Sequence, residues 1–286
     1  MAVLLISLVA LTLIKATPLI YAALGGVISE RSGVINIGLE GMMAIGAFAA
    51  VVISYYTREP ALGILAGIGA GALGGYVLGI AATRFKVDQI VAGTGINLIC
   101  AGGAAYGLVL IYNQPGASAQ VPALGREYWV LVALAFVAAA ALHWLLARTP
   151  WGLRIRACGE NPAALASAGI DPLAMRVYAV TLSGALAGLG GAFLSLGELN
   201  LYSDGMTAGR GFIALAAVIF GRWNPLGATF ACIAFGLFEA LQYVLQGRIA
   251  WLPADAMQAL PYIAALVALA GITGKVRAPA ADGVPY

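Results

Sequence analysis

Apolar stretches of about the length of a bilayer crossing follow one another along almost the whole chain. Because a helix rises about 1.5 Å per residue, about 20 apolar residues cross the hydrocarbon core, which is roughly 30 Å thick. The sequence therefore predicts an all-α polytopic membrane protein with about 8–10 transmembrane helices. We expect residues 1–286 to form a single transmembrane domain. The predicted long spans are 2–29, 33–54, 61–82, 89–111, 128–147, 177–197, 225–246 and 257–273, and a shorter apolar run covers 211–220.

Two of these stretches leave more than one conformation open. Residues 2–29 are interrupted by Lys15, Thr17 and Pro18, so they form either one broken span or a short piece followed by a half-helix. The run 211–220 is too short to cross the bilayer, so it is tilted, extended by its neighbours or re-entrant.

The composition excludes other classes of protein. Hydrophobic residues make up 62% of the chain and charged residues only 9%, whereas soluble proteins carry about 25% charged residues. The net charge is +3 and no large cluster of lysine and arginine occurs, so no nucleic-acid partner is expected. The three cysteines have neither disulfide nor metal spacing, so no metal site is expected. We also expect no cleaved signal peptide, because no basic region precedes the first apolar run.

Basic residues fall mainly on one side of the predicted spans. By the positive-inside rule this side is cytoplasmic. The loop between Tyr112 and Tyr128 then lies outside, where it is either a plain connector or a cap over a solute path. The predicted cytoplasmic set is Arg31, Arg84, Lys86, Arg148, Arg154, Arg156, Arg176, Arg222, Lys275 and Arg277, and the external set is Arg58, Arg126, Arg210, Arg248 and Lys15.

Polar residues interrupt the apolar pattern between Glu30 and Phe48. Lipid offers no hydrogen-bond partner, so Asn36 and Glu40 must face protein or water, and this segment is the first candidate for a substrate path. The alternative is a cytoplasmic loop whose glycines let helices pack closely.

The same pattern recurs later in the chain. Asn36–Met42 is echoed by Asn200–Met206, and a diglycine precedes each asparagine, at Gly25-Gly26 and Gly190-Gly191. Five predicted crossings separate the copies, which places them on opposite sides of the membrane and predicts an inverted repeat with a site near the midplane. Chance similarity of glycine-rich segments is the alternative. The predicted substrate pathway comprises Asn36, Glu40, Asn97, Glu198, Asn200 and Asp204.

Three polar residues are each open to two interpretations. Asn97 either lines the pathway or makes a single interhelical hydrogen bond. Glu239 and Gln242 share a helix face, so they either line the pathway or pair with Arg248 near the outer surface.

The largest predicted cytoplasmic segment is 148–176. Asn161 is typical of a helix N-cap, Pro162 of a first helical position, and Gly169 of a helix end, so a short helix is predicted over 163–168. Asp171-Pro172 begins the next element. The short helix is either an interfacial linker or a docking surface for a motor protein. The chain has no phosphate-binding loop and no catalytic constellation, so we expect no enzymatic activity of its own.

Four segments resemble one family in the order expected for it. They are ERSGVINIGLEGMMAIGAF at 30–48, WGLRIRACGENPAALASAGID at 151–171, GRGFIALAAVIFGRWNP at 209–225 and RAPAADGVPY at 277–286. The chain resembles the permease subunits of bacterial ABC importers in the branched-chain amino acid and simple-sugar permease superfamily. The first and last segments are most similar to its nucleoside-uptake branch.

The resemblance implies a type II ABC-importer-like permease in the bacterial cytoplasmic (inner) membrane. It implies no cofactor in this chain, with ATP and Mg held by a cytoplasmic ABC ATPase subunit. An extracytoplasmic solute-binding protein and a second, longer permease subunit, giving a heterodimer, are the other implied partners. The residues that match the family's coupling loop to the ATPase are Gly159, Glu160, Asn161, Pro162, Ala163, Ala164 and Gly169.

Within this resemblance nucleosides are the expected solute, and simple sugars, branched-chain amino acids and a flavin precursor are the alternatives. A proton-coupled secondary carrier that uses Glu40, or a channel, would be a different class of protein. The capped cytoplasmic helix favours the importer, because a carrier that works alone does not require it.

Overall fold

The computed structural model describes residues 2–125, 127–245, 263 and 277–286, and these residues form helices and loops with no β-strand. The predicted span 257–273 lies outside the described residues except for residue 263, and Arg126, Arg248 and Lys275 lie outside them too. The helices are α1 (Ala2–Arg31), α2 (Leu39–Thr57), α3 (Pro60–Thr83), α4 (Gln89–Tyr112), α5 (Glu127–Arg148), α6 (Pro150–Glu160), α7 (Pro162–Ser167), α8 (Pro172–Ala192), α9 (Arg210–Phe220) and α10 (Pro225–Leu245); α8 continues as a π-helix over Phe193–Leu199.

Seven helices in the described part of the chain are long and apolar enough to cross a membrane. They correspond to the first seven long spans predicted from the sequence, which confirms an all-α polytopic membrane protein. The short run at 211–220 becomes α9, which has 11 residues and does not reach membrane-spanning length.

The first span is one continuous helix of 30 residues with Pro18 inside it, so the half-helix alternative is wrong. A proline breaks the regular hydrogen-bond ladder, yet membrane helices accommodate it when side chains and neighbours bind the freed groups. The hydroxyl of Thr17, immediately before the proline, donates to the carbonyl of Leu13 at 2.7 Å, next to the carbonyl of Ile14 that the proline leaves without its helical donor. The backbone of α8 at Gly190 also packs directly against Pro18.

The second span begins later than predicted. Residues 32–38, which we call the link, are not helical, and α2 starts only at Leu39. Gly33 has a φ of +91°, a conformation that favours glycine and that ends α1. Ser29 donates to the carbonyl of Val34 at 2.6 Å and so holds the link against the end of α1.

Helix α8 lies at the centre of the described bundle, and glycines set how closely its neighbours approach. On α3, side chains at Gly71 and Gly75 would collide with the backbone of α8, and on α8 side chains at Gly184 and Gly188 would collide with α3. The two helices therefore pack backbone to backbone, which small residues permit in a membrane.

The packing supports the predicted inverted repeat. Gly25 on α1 contacts Ser183 on α8, while Pro18 on α1 contacts Gly190 on α8, so the helices run antiparallel and exchange equivalent contacts. Helix α3 packs along α8, and helix α10 packs along α1. The start of α10 follows the start of α3 by the same number of residues as Gly190 follows Gly25. A pseudo-two-fold axis in the membrane plane produces this pattern. Five spans separate Asn36 from Asn200, as predicted.

Several residues of the predicted cytoplasmic set meet at one end of the bundle. Arg31 donates to the carbonyl of Trp223 at 2.8 Å, and Arg176 donates to the carbonyl of Val284 at 2.8 Å. This gathering agrees with the orientation that the positive-inside rule predicts.

Candidate functional site

The start of α2 is held by an asparagine from another helix. Asn97 on α4 accepts a hydrogen bond from the main-chain N–H of Gly41 at 2.7 Å and donates to the carbonyl of Ile37 at 3.0 Å. The first N–H groups of a helix have no partner within the helix, and lipid offers none. Asn97 therefore makes two bonds to the main chain rather than the single interhelical bond considered from sequence.

Asn36 lies in the link and is fully buried. Its side-chain nitrogen donates to the hydroxyl of Ser183 at 2.9 Å, but its oxygen Oδ1 has no hydrogen-bond partner among the described residues. An unpaired buried acceptor costs about 1–3 kcal/mol. The amide oxygen of Asn36 is therefore free to accept a hydrogen bond.

Glu40 caps the start of α9. Its oxygen Oε1 accepts from the N–H of Gly209 at 2.8 Å, and Oε2 accepts from the N–H of Gly211 at 2.6 Å. A carboxylate at a helix N-terminus satisfies the free N–H groups and is attracted by the helix dipole. A short helix can therefore begin inside the bundle. The sequence signal that we missed is Gly209-Arg210-Gly211. Gly209 has a φ of +78°, which favours glycine, and a side chain at Gly211 would collide with Glu40.

Four charged side chains from four helical elements form a second polar group, which we call the charged cluster. Lys15 on α1 pairs with Glu198 at the end of the π-helix, and Arg210 on α9 pairs with Glu239 on α10. Lys15 also lies 4.0 Å from Glu239. The two positive and two negative charges cancel. The charged cluster is largely shielded from water and therefore places no net charge inside the bundle. Glu239 thus pairs with Arg210, whereas Arg248 lies outside the described residues.

The last two predicted pathway residues lie elsewhere, next to the external loop. Asn200 has a φ of +55°, and its carbonyl accepts from the N–H of Val121 at 2.9 Å. The side chain of Asp204 is exposed, while its N–H donates to the carbonyl of Gly116 at 2.8 Å. The loop between Tyr112 and Tyr128 is therefore bonded to the segment that follows the π-helix.

The first turn of α9 joins the two polar groups. Glu40 binds the N–H groups on either side of Arg210, while the Arg210 side chain reaches Glu239 in the charged cluster. The structure thus brings Asn36, Glu40 and Asn97 together around the start of α2 and connects Glu198 to them through α9. Among the described residues, no group of histidine, cysteine and carboxylate side chains is placed to hold a metal ion.

The short helix predicted over 163–168 is confirmed as α7, which covers Pro162–Ser167. The side chain of Asn161 accepts from the N–H of Ala164 at 3.1 Å, Pro162 is the first helical residue, and Gly169 has a φ of +78°. Asp171 caps the start of α8 in the same way, at 2.9 Å from the N–H of Leu173.

The matched coupling residues divide into an outward and an inward group. Glu160, Asn161, Ala163, Ala164 and Gly169 are exposed, and Pro162 is half-buried. Gly159 is buried, because its main chain packs against the carbonyl of Arg31. Gly159 therefore belongs to the internal packing, and the exposed residues form the surface that another protein can reach.

Helices that begin inside a bundle, with polar groups at the break, are typical of membrane transporters. The chain belongs to the family described as branched-chain amino acid transport system / permease component, which matches residues 8–270.

Three relatives are similar along most of the chain. The guanosine ABC transporter permease protein NupQ of Bacillus subtilis (strain 168) is 39% identical, covering 96% of this chain and 94% of the relative. The nucleoside ABC transporter permease protein NupC of Lactococcus lactis subsp. cremoris (strain MG1363) is 38% identical, covering 98% and 96%. The guanosine ABC transporter permease protein NupP of the same Bacillus strain is 28% identical, covering 95% and 85%. No solved structure matches the chain.

We expect Glu40→Ala to destabilise the protein and to reduce solute uptake, because the N–H groups of Gly209 and Gly211 lose their acceptors. A hydrogen bond to a charged group contributes about 1.5–3 kcal/mol. Thermal unfolding in detergent and uptake into cells measure the two effects. Glu40→Gln is the matched control, since it keeps one carbonyl oxygen, and its loss should be smaller. Equal behaviour of both variants and the wild type would contradict the capping role.

We expect Arg210→Met to cost more stability than the double substitution Arg210→Met with Glu239→Gln. Removing one partner of a buried ion pair leaves an uncompensated charge, at a cost of about 3–5 kcal/mol, whereas the double variant removes both charges. The thermal unfolding temperatures of the two single variants, the double variant and the wild type form the required cycle. Additive losses would show that the two side chains are not coupled.

Proposed function

We propose that the chain is the membrane-spanning subunit of an ABC importer that moves nucleosides into the cytoplasm. The observation that carries this proposal is the similarity, along almost the full length, to the guanosine permease NupQ and the nucleoside permease NupC. We also propose placement in the bacterial cytoplasmic membrane, with the binding and hydrolysis of ATP and Mg in a separate cytoplasmic ATPase subunit.

The polar groups suit a neutral solute that carries many hydroxyl groups. Asn36 offers an unpaired amide oxygen, and the charged cluster has balanced charge, so a neutral solute meets acceptors without being bound tightly. Strong binding inside a permease would slow release. Capture of the solute is therefore assigned to a separate extracytoplasmic binding protein. We propose Asn36, Glu40, Asn97, Glu198, Asn200 and Asp204 as the polar route, with Glu40 and Asn97 also holding its helix ends.

The outward group at α7 is the proposed contact with the ATPase. Ala163 and Ala164 are small and exposed, so the helix can lie in a groove, while Leu165 is buried and anchors α7 to the bundle. A heterodimer with a second permease is supported by two relatives, NupP and NupQ, that come from one Bacillus strain and both resemble this chain.

The substrate assignment predicts that deleting this chain abolishes uptake of labelled guanosine by the host and that reintroducing it restores uptake. Unlabelled uridine or adenosine should compete, whereas ribose, glucose, leucine and riboflavin should not. Labelled sugar or amino acid transport that depends on the chain, without guanosine transport, would replace the nucleoside assignment. Uptake that persists when cellular ATP is depleted but collapses with the proton gradient would favour a proton-coupled carrier instead.

Ala164→Asp should uncouple transport from ATP hydrolysis, because a charge then lies on the face that contacts the ATPase. We expect solute-stimulated ATP hydrolysis of the reconstituted complex to fall, with normal insertion of the permease. Gln120→Asp, which places the same charge on an exposed residue of the external loop, is the control. Normal stimulated hydrolysis in the Ala164 variant would count against docking at α7.

A further inference from the structure

Residues 277–286, which we call the tail, form a turn against the cytoplasmic end of the bundle. The N–H of Asp282 donates to the carbonyl of Pro279 at 3.1 Å, and the N–H of Val284 donates to the carbonyl of Ala281 at 3.3 Å. Pro279 is buried, and Gly283 has a φ of +76° where the chain turns. The tail is therefore folded onto the protein in a specific shape.

Arg176, near the start of α8, is 1% exposed and is the largest of the fully buried side chains. Its guanidinium donates to the carbonyls of Ala281 at 3.2 Å and Val284 at 2.8 Å in the tail, and to that of Ser32 in the link at 3.2 Å. Among the described residues no carboxylate lies within ion-pair distance of it. A buried cation is costly, so three carbonyls gathered around one guanidinium fix the tail and the link relative to each other.

Asp282 in the tail is an acidic residue whose charge interacts with that of Arg176. Burial raises the pKa of Asp282 to about 7, although the charge of Arg176 acts in the opposite direction. Its oxygen Oδ1 has no hydrogen-bond partner in the described part of the chain. The main-chain carbonyls therefore provide the contacts that hold Arg176.

The tail also binds the end of α6. Here begins the segment 159–169 that is proposed to contact the ATPase, which we call the docking loop. The N–H of Ala281 donates to the carbonyl of Gly159 at 2.8 Å, and the N–H of Ala280 donates to the carboxylate of Glu160 at 3.4 Å. The next residue, Asn161, caps α7. Movement of α7 thus passes through the few covalent bonds between Asn161 and Gly159, and then through these two hydrogen bonds to the tail.

On its other side the tail contacts the link. A side chain at Gly283 would meet Ile35, and one at Gly33 would meet both Arg176 and the carbonyl of Ala281. A side chain at Gly159 would likewise reach the main chain of Gly33. Three main-chain segments therefore meet at Gly33, Gly159 and Ala281, and Asn36 lies three residues after Gly33 in the link.

We propose that the tail and Arg176 form a coupling junction that transmits movement of the ATPase-docking loop to the link that carries Asn36. The inference rests on the proposed function, because it requires an ATPase at α7. Arg176 is a positioning residue: it touches no solute, and it acts by holding the tail between the docking loop and the link. A lysine cannot replace it, since an ammonium group lacks the planar fork that reaches three separate carbonyls.

The test uses the complete complex, reconstituted in vesicles with its ATPase, second permease and binding protein. The measured quantities are solute imported per ATP hydrolysed and the thermal unfolding temperature. Ala281→Pro removes the N–H that binds Gly159, and Arg176→Gln and Arg176→Lys weaken the clamp. Ala278→Pro, at an exposed tail residue, is the matched control. We expect the imported-to-hydrolysed ratio to fall at least about fivefold in the three variants, with assembly retained and the control unchanged.

The outcomes separate the junction from the proposed function. Absence of ATP-driven uptake by the wild-type complex would overturn the proposed function itself. An unchanged ratio in Ala281→Pro and Arg176→Lys, in a wild-type complex that transports, would overturn only the junction. Lower unfolding temperatures with an unchanged ratio would assign the tail a structural role and would equally overturn the junction. A fall in the ratio without loss of assembly supports it.

Discussion

Every main-chain polar group inside a bilayer needs a partner within the protein, and this requirement governs the two helices that begin inside the bundle. Helix α2 obtains an acceptor from Asn97 on α4, and α9 obtains two from the Glu40 carboxylate. Glu40 itself belongs to the first turn of α2, so α2 must be in place before α9 is capped. The polar residues of the proposed route thus also determine where its helices start.

Glycine packing supplies the rigid frame around these helix starts. Helix α8 contacts α3 backbone to backbone through glycines on both helices, and the repeat places α10 against α1 in the equivalent position. Such close contacts leave no space for side chains, and densely packed interiors do not deform continuously. A change of shape in this protein therefore has to occur where helices are short or interrupted.

Local patterns in the sequence were sufficient for the first seven long spans, for the Asn161 and Asp171 caps and for the polar segment around Asn36. Contacts between distant residues were not predictable in this way. Lys15 and Glu198 lie far apart in the chain, and neither has a local pattern that names its partner. The echo of Asn36–Met42 at Asn200–Met206 marked a real repeat of helices, but it gave no measure of depth. The echo therefore did not predict that Asp204 lies exposed at the external loop whereas Glu40 lies inside the bundle.

The interrupted elements are also the ones that connect the two ends of the molecule. The link joins the cytoplasmic junction at Arg176 to Asn36 and then to Glu40, and Glu40 joins α9 through its cap. From the first turn of α9, Arg210 reaches Glu239 in the charged cluster and, beyond it, Lys15. The glycine-packed helices stand beside this chain of contacts as a fixed support. Alternating access requires some parts to move against others, and here the polar contacts connect the non-helical link and the short helix α9 to the longer helices around them.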